Sequence, residues 1–271
     1  MMTRAFSISF TALILILTMI SCTDSPSVPS NYPPALPLES SMGIHFSNFG
    51  KQKSSVKSQQ LSFNNFARAA FTAGVMKAVI EANLFIPRAL LDAASDSEAK
   101  INEKDRWEWN YRAFVDGKSY EVRLVALPGE NNSTKWKFYV TNIEQGLDGR
   151  LLFSGTTSAN GRQGSWSYFS LQNTSSSEAI SKIKWSLNSK DELHIRVDVI
   201  SNRFERGGDY IDYTFNGTTK STVYYDAGED KTTEIQWNIK TNIGYIFSLH
   251  YNNGRQACWD ENFADIACNE L

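Results

Sequence analysis

The sequence predicts a mainly β protein with an N-terminal helical segment: an antiparallel up-and-down meander of about eleven strands, forming a barrel or a strongly curved sheet. Three observations carry this prediction. From residue 106 onward, apolar and polar side chains alternate with a period of two, as a strand with one buried face requires. The alternating runs are separated by short turns of Gly, Asn, Asp and Ser, and no stretch between them is long enough for a helical crossover, so the pairing is antiparallel. All seven Trp lie at or after Trp107, which sets an aromatic β region apart from what precedes it. A flat sheet of that many strands is unusual, because strand twist makes it curl.

The elements follow in chain order. Arg4 is the only charge before Cys22, and the apolar-rich run from Ala5 to Ile20 is shorter than the roughly 20 residues of a membrane-spanning helix, so residues 1–21 read as a secretory signal. The run ends in Leu17-Thr18-Met19-Ile20-Ser21, a small residue directly before a cysteine. This resembles the lipobox of bacterial lipoproteins. The resemblance implies cleavage before Cys22, acylation of its thiol and amine, and a membrane partner reached through that N-terminal lipid anchor. Thr23 rather than Asp follows the cysteine, which by the same resemblance implies the outer membrane of the bacterial cell envelope. Residues 22–60 begin with Pro26, Pro29, Pro33, Pro34 and Pro37 among serines, a composition that reads as a disordered tether.

Residues 61–105 read as a helical segment packing on the sheet. Phe63, Phe66, Ala70, Val75, Ala78, Val79 and Ala82 recur near a 3.6-residue period, while Asn64, Asn65, Arg68 and Lys77 can face water. Pro87 interrupts the pattern and starts a second short helix. Ser95 to Lys104 is a polar connector.

Residues 106–271 form the meander. "RWEWNYRAFV" places Trp107, Trp109 and Tyr111 on one face, and "DGK" then makes a hairpin turn. "SYEVRLVAL" and "KWKFYV" follow, the latter setting Trp136 and Phe138 against Lys135 and Lys137. "RLLFSG", "GSWSYFSL", "ISKIKWSL" with Trp185, "ELHIRVDV", "DYIDYTF", "STVYYDA", "TEIQWNIK" with Trp237, and "GYIFSLHY" complete the series. The interior is therefore expected to hold Trp107, Trp109, Tyr111, Trp136, Phe138, Trp185 and Trp237, lining either a ligand cavity or a solid core. An outer-membrane barrel alternates too, but the final "CNEL" lacks a terminal aromatic strand. Helix followed by meander is similar to the order in periplasmic lipoprotein carriers and lipid-binding lipoproteins, which curl a sheet around a helical plug.

The sequence is poor in catalytic signals. His45, His194 and His250 form no metal-spaced cluster, and no nucleophile elbow, phosphate loop or zinc-protease motif occurs. The carboxylate pairs Asp209/Asp212 and Glu229/Asp230 read as charged turns. With Cys22 acylated, Cys258 and Cys268 remain as a pair, and an exported chain makes a disulfide between them. Between them "CWDENFADIAC" offers Asp260, Glu261, Asn262 and Asp265 as oxygen ligands for calcium, set against a stapled cap over Trp259 and Phe263. No cofactor is expected. A net charge of −2 with interspersed signs gives no case for nucleic acid. These features point to a non-enzymatic envelope lipoprotein holding a hydrophobic small molecule inside its barrel. The alternative is a structural or protein-interaction lipoprotein with a solid core and a partner the sequence does not name. An enzyme acting on envelope polymers ranks last.

Overall fold

The computed structural model describes residues 32–44, 46, 64–102, 104, 106–171, 178–188, 192–202 and 205–270. Cys22, the signal segment, Phe63 and His45 lie outside the described residues.

One helix, α1 (Asn65–Asp92), precedes a single sheet of fourteen strands. These are β1 (Ala99–Ile101), β2 (Trp107–Val115), β3 (Lys118–Pro128), β4 (Thr134–Asn142), β5 (Leu147–Thr157), β6 (Gln163–Phe169), β7 (Ala179–Leu187), β8 (Leu193–Val199), β9 (Tyr210–Phe215), β10 (Thr219–Asp226), β11 (Lys231–Asn238), β12 (Gly244–Ser248), β13 (Ala257–Trp259) and β14 (Asp265–Ile266). Each strand pairs antiparallel with its sequence neighbours, in strict chain order. The eleven expected strands correspond to β2–β12. The count of eleven is corrected by β1, β13 and β14, which are two or three residues long and cannot display an alternation. β1 falls in the expected connector, and β13 and β14 in the expected cap. β1 pairs only with β2, and β14 only with β13, so the sheet is not closed by hydrogen bonds among the described residues.

Helix α1 starts where Asn64 caps it, its side-chain oxygen accepting from the Ala67 N–H at 2.7 Å. The axis bends by 64° between residues 65–81 and residues 84–96, the second arm including the 3-10 turn Ala93–Asp96 that follows α1. Pro87 explains the bend: its ring pushes against the carbonyl four residues back, at position 83, and it offers no N–H to that carbonyl. The buried stripe is Phe66, Ala69, Ala73, Met76, Ile80 and Leu84. Of the expected stripe, Phe66 and Val79 are buried, whereas Ala78 is exposed and Ala70 and Val75 are only half-buried. Among the described residues no single helix is long and apolar enough to cross a membrane.

One face of the sheet, the inner face, carries α1. The helix packs on β2 near its C-terminus and on β12 and β13 near its start, and the Tyr111 hydroxyl donates to the Leu90 carbonyl. Residues 39–44 and 46 join it there. Glu39–Met42 form a turn of 3-10 helix, and Met42, Ile44 and Phe46 are buried in the same core as α1 and the sheet. The tether expected over residues 22–60 is thus corrected for this stretch. Its serines and prolines hid four apolar residues, Leu36, Met42, Ile44 and Phe46, that pack against the core.

Candidate functional site

All seven expected interior residues lie on the inner face. Trp109, Trp136, Phe138, Trp185 and Trp237 are buried, and Trp107 and Tyr111 pack half-buried against them. Trp259, expected beneath the tail, is equally buried, and so are Phe153, Trp166 and Tyr168, which sequence reasoning did not single out. The rings form two series across the strands, Trp109–Trp136 and Phe138–Phe153–Trp166–Trp185. Trp109 meets Trp136 at 5.8 Å between centroids, Phe138 stacks on Phe153 at 4.5 Å, and Trp166 stacks on Trp185 at 5.1 Å. At the other end Phe46 lies over Trp237 at 6.3 Å.

Three of these indoles lie over a glycine on the next strand. Trp166 faces Gly155, Trp185 faces Gly164, and Trp259 faces Gly244. An added Cβ would stand 2.4, 2.3 and 2.5 Å from the respective rings. The glycines leave the slots into which the indoles fit, a form of aromatic cover for a glycine in a strand.

Not every polar group in this interior is satisfied. Trp136 Nε1 donates to Thr157 Oγ1 at 2.9 Å, and Trp166 Nε1 to Ser41 Oγ at 3.3 Å. Tyr168 Oη, Ser181 Oγ and Trp185 Nε1 are buried without a partner. Tyr168 and Ser181 stand directly opposite each other on β6 and β7. Burial pushes the Tyr168 phenol well above its ordinary range. Lys220 also turns inward, 5.7 Å from the Phe215 ring and 5.9 Å from that of Trp237, and burial lowers its ammonium pKa. The parity of Lys220, Thr222 and Tyr224 along β10 makes that orientation legible in the sequence.

The carboxylate pairs are separated by the fold. Asp209 is buried, accepting from the Tyr224 hydroxyl at 2.7 Å and the Ala227 N–H at 2.9 Å, with Arg206 Nη1 at 3.6 Å. Asp212 lies on the outer face, 2.7 Å from His194 Nε2. Glu229 pairs with Lys231, and Asp230 accepts from Tyr225. His250 is exposed. None of these pairs forms a two-carboxylate site.

Cys258 and Cys268 are joined, with S–S at 2.02 Å. Between them, Asp260 Oδ1 accepts from the N–H groups of Asn262 and Ala264, and Asp265 Oδ1 accepts from the Asn65 N–H. Asp260 and Asp265 are therefore engaged with backbone, Glu261 and Asn262 are exposed, and among the described residues no group of three His, Cys, Asp or Glu that could hold a metal ion stands together. The tail is an edge hairpin that grips the start of α1, with Trp259 in the core and Phe263 packed against it. Asn65 Nδ2 donates to the Cys258 carbonyl and Asn64 Nδ2 to that of Phe263, while Phe66 meets Phe263 at 4.2 Å.

The outer face of β2–β5 carries a depression of about 390 Å³, bordered by Arg112, Glu121, Arg123, Tyr139 and Thr141. The Arg123 guanidinium lies 4.6 Å over the Tyr139 ring, and Arg112 pairs with Glu121 at 2.6 Å. Comparison of the chain with protein-family models, with curated proteins and with solved structures finds no match.

Proposed function

We propose that this chain is a non-enzymatic lipoprotein of the bacterial cell envelope that acts through its outer surface on a partner. In this reading the sheet curls around α1 as an open barrel with a filled interior, and acylated Cys22 ties it to the membrane. One observation carries the filled interior: α1 and, from the preceding segment, Met42, Ile44 and Phe46 lie on the inner face and share a single core with it. Native mass spectrometry of the full chain, extracted from membranes, tests the reading. The expected mass is that of the acylated chain with nothing bound inside.

A second reading, a hydrophobic ligand held between α1 and the sheet, is favoured by the unpartnered Tyr168 and Ser181 hydroxyls. A buried polar group left unsatisfied costs about 1–3 kcal/mol, and the polar end of an amphipathic ligand would relieve it. A one-to-one lipid adduct that is lost in Tyr168→Phe would establish this second reading and overturn the filled interior. In the filled interior, the same substitution removes an unpartnered hydroxyl and leaves stability equal or higher.

A further inference from the structure

We infer that the outer face of β4–β7 binds a linear anionic polysaccharide; this supplies the partner chemistry of the surface-acting reading and rests on it. Two cross-strand rows build the site. Lys135 stands opposite Thr156, Thr156 opposite Ser165, and Ser165 opposite Lys184. Two residues along the same face, Lys137, Ser154, Ser167 and Lys182 repeat that order. Each row has a lysine at both ends and two short hydroxyl side chains between. The four lysines are exposed and the hydroxyl residues half-buried.

Strand spacing sets the dimensions. Three steps between β4 and β7 put the two lysine columns about 14 Å apart, and alternate residues put the lysines of one column about 7 Å apart. The result is a trough running along the strands, walled by ammonium groups and floored by hydroxyls. The described ion pairs include none of the four lysines. The nearest acid across the sheet, Asp198 opposite Lys182, is held by Arg196 at 2.9 Å. With a net charge of −2 for the chain, this run of cations is a local feature and not a consequence of composition.

The depression on β2–β5 extends the trough, because Tyr139 follows Lys137 on the same face of β4. Its volume of about 390 Å³ falls within the range of small-ligand sites. Arg123, stacked on Tyr139, is outside the described ion pairs and keeps its donors available. Ammonium and guanidinium groups match the carboxylates of an acidic glycan, and the hydroxyl floor matches the sugar hydroxyls. A lipid surface fits less well: the eight row positions offer no apolar side chain to enter the acyl boundary.

The test is calorimetric titration of the purified chain with oligogalacturonate of defined length. A neutral glucan and anionic phospholipid vesicles serve as comparators. Oligogalacturonate is expected to bind, more weakly as salt rises, and the neutral glucan not at all. Lys137→Gln with Lys182→Gln should weaken binding by about tenfold or more without moving the melting temperature, while Lys137→Arg with Lys182→Arg keeps it. Absence of oligogalacturonate binding at low salt, equal binding by the Gln variant, or tighter binding to the vesicles that the Gln variant loses overturns the inference; the acyl anchor on Cys22 enters vesicles in both variants alike. The mass measurement above keeps the two conclusions apart. A lipid found inside a chain that still binds the glycan overturns only the filled interior. An empty chain that ignores the glycan overturns only the trough.

Discussion

Alanine at position 164 is the most searching perturbation of this core. Gly164 sits on β6 directly opposite Trp185, and a Cβ there would lie 2.2 Å from the Thr156 carbonyl oxygen and 2.3 Å from Trp185 Cη2. The first contact is with backbone, so no rotamer change relieves it, and β5 and β6 must separate. The second pushes Trp185 off Trp166, on which it stacks with an interplanar angle of 19°. Overpacking a filled core costs about 1–3 kcal/mol, and an aromatic pair contributes about 0.5–1.5 kcal/mol beyond its burial. Gly164→Ala should therefore destabilise the chain by about 2–4 kcal/mol. At about 2–4 °C per kcal/mol for a domain of this size, melting should fall by about 5–15 °C. Urea titration followed by tryptophan fluorescence reads the free energy, and near-ultraviolet circular dichroism reads the Trp166–Trp185 stack. A loss below about 0.5 kcal/mol with an unchanged dichroism signal would refute the slot geometry.

Other outcomes follow from particular residues. Gly74→Ala, on the exposed side of α1 with nothing within 4 Å of the added methyl, should raise stability by up to about 1 kcal/mol, since glycine is a poor helix former; a decrease in a urea titration would contradict the placement of that side. Cys258→Ser with Cys268→Ser opens a short loop and should cost about 3 kcal/mol on chain-entropy grounds. Because the tail grips Asn64 and Asn65, amide exchange in the first turn of α1 should rise before that of β4–β7, and uniform exchange would argue against the grip. Burial holds the phenols of Tyr111, Tyr168 and Tyr213 above their ordinary range, whereas in the unfolded chain they ionise near pH 10. Above about pH 10 the folded state thus binds more protons, and stability is lost as pH rises. Lys220, lowered by burial, opposes this as a single group. Melting temperatures that stay level from pH 9 to pH 11 would show that the phenols titrate freely. Cys22→Ser should abolish incorporation of labelled palmitate and release the protein from membranes; persistent labelling would place the acyl chain elsewhere.

Which parts of this structure a reader of the sequence can reach depends on the range of the signal. Alternation within one strand is local, so β2–β12 and the inward direction of Trp109, Trp136, Trp185 and Trp237 were legible. Strands of two or three residues carry no period, and β1, β13 and β14 were not. Residues 39–46 look like linker by composition, because Met42, Ile44 and Phe46 are too few to outweigh their neighbours until a sheet offers them a surface. The glycine slots are still less visible. Gly155, Gly164 and Gly244 each resemble a turn or bulge signal, and only the register that sets Trp166, Trp185 and Trp259 opposite them shows that they are packing positions.

The same register separates the duties of the two faces. On β4–β7 a step of one residue passes from Trp136, Phe138, Trp166 or Ile183 inside to Lys135, Lys137, Ser165 or Lys184 outside. Because side chains alternate, a slip of one residue in any of these pairings would exchange the contents of the two faces. Tight inner packing therefore does more than stabilise the sheet. By fixing Trp166 against Gly155 and Trp185 against Gly164, it also fixes which lysines and hydroxyls line up across four strands on the outside. A row ordered Lys-Thr-Ser-Lys beside one ordered Lys-Ser-Ser-Lys exists only in this register. A core substitution such as Gly164→Ala should consequently weaken oligogalacturonate binding even though residue 164 cannot touch the ligand, whereas an outer substitution such as Lys137→Gln should leave the core unmoved. Finding the opposite asymmetry, with core variants binding normally, would mean that the lysines do not act as an ordered array.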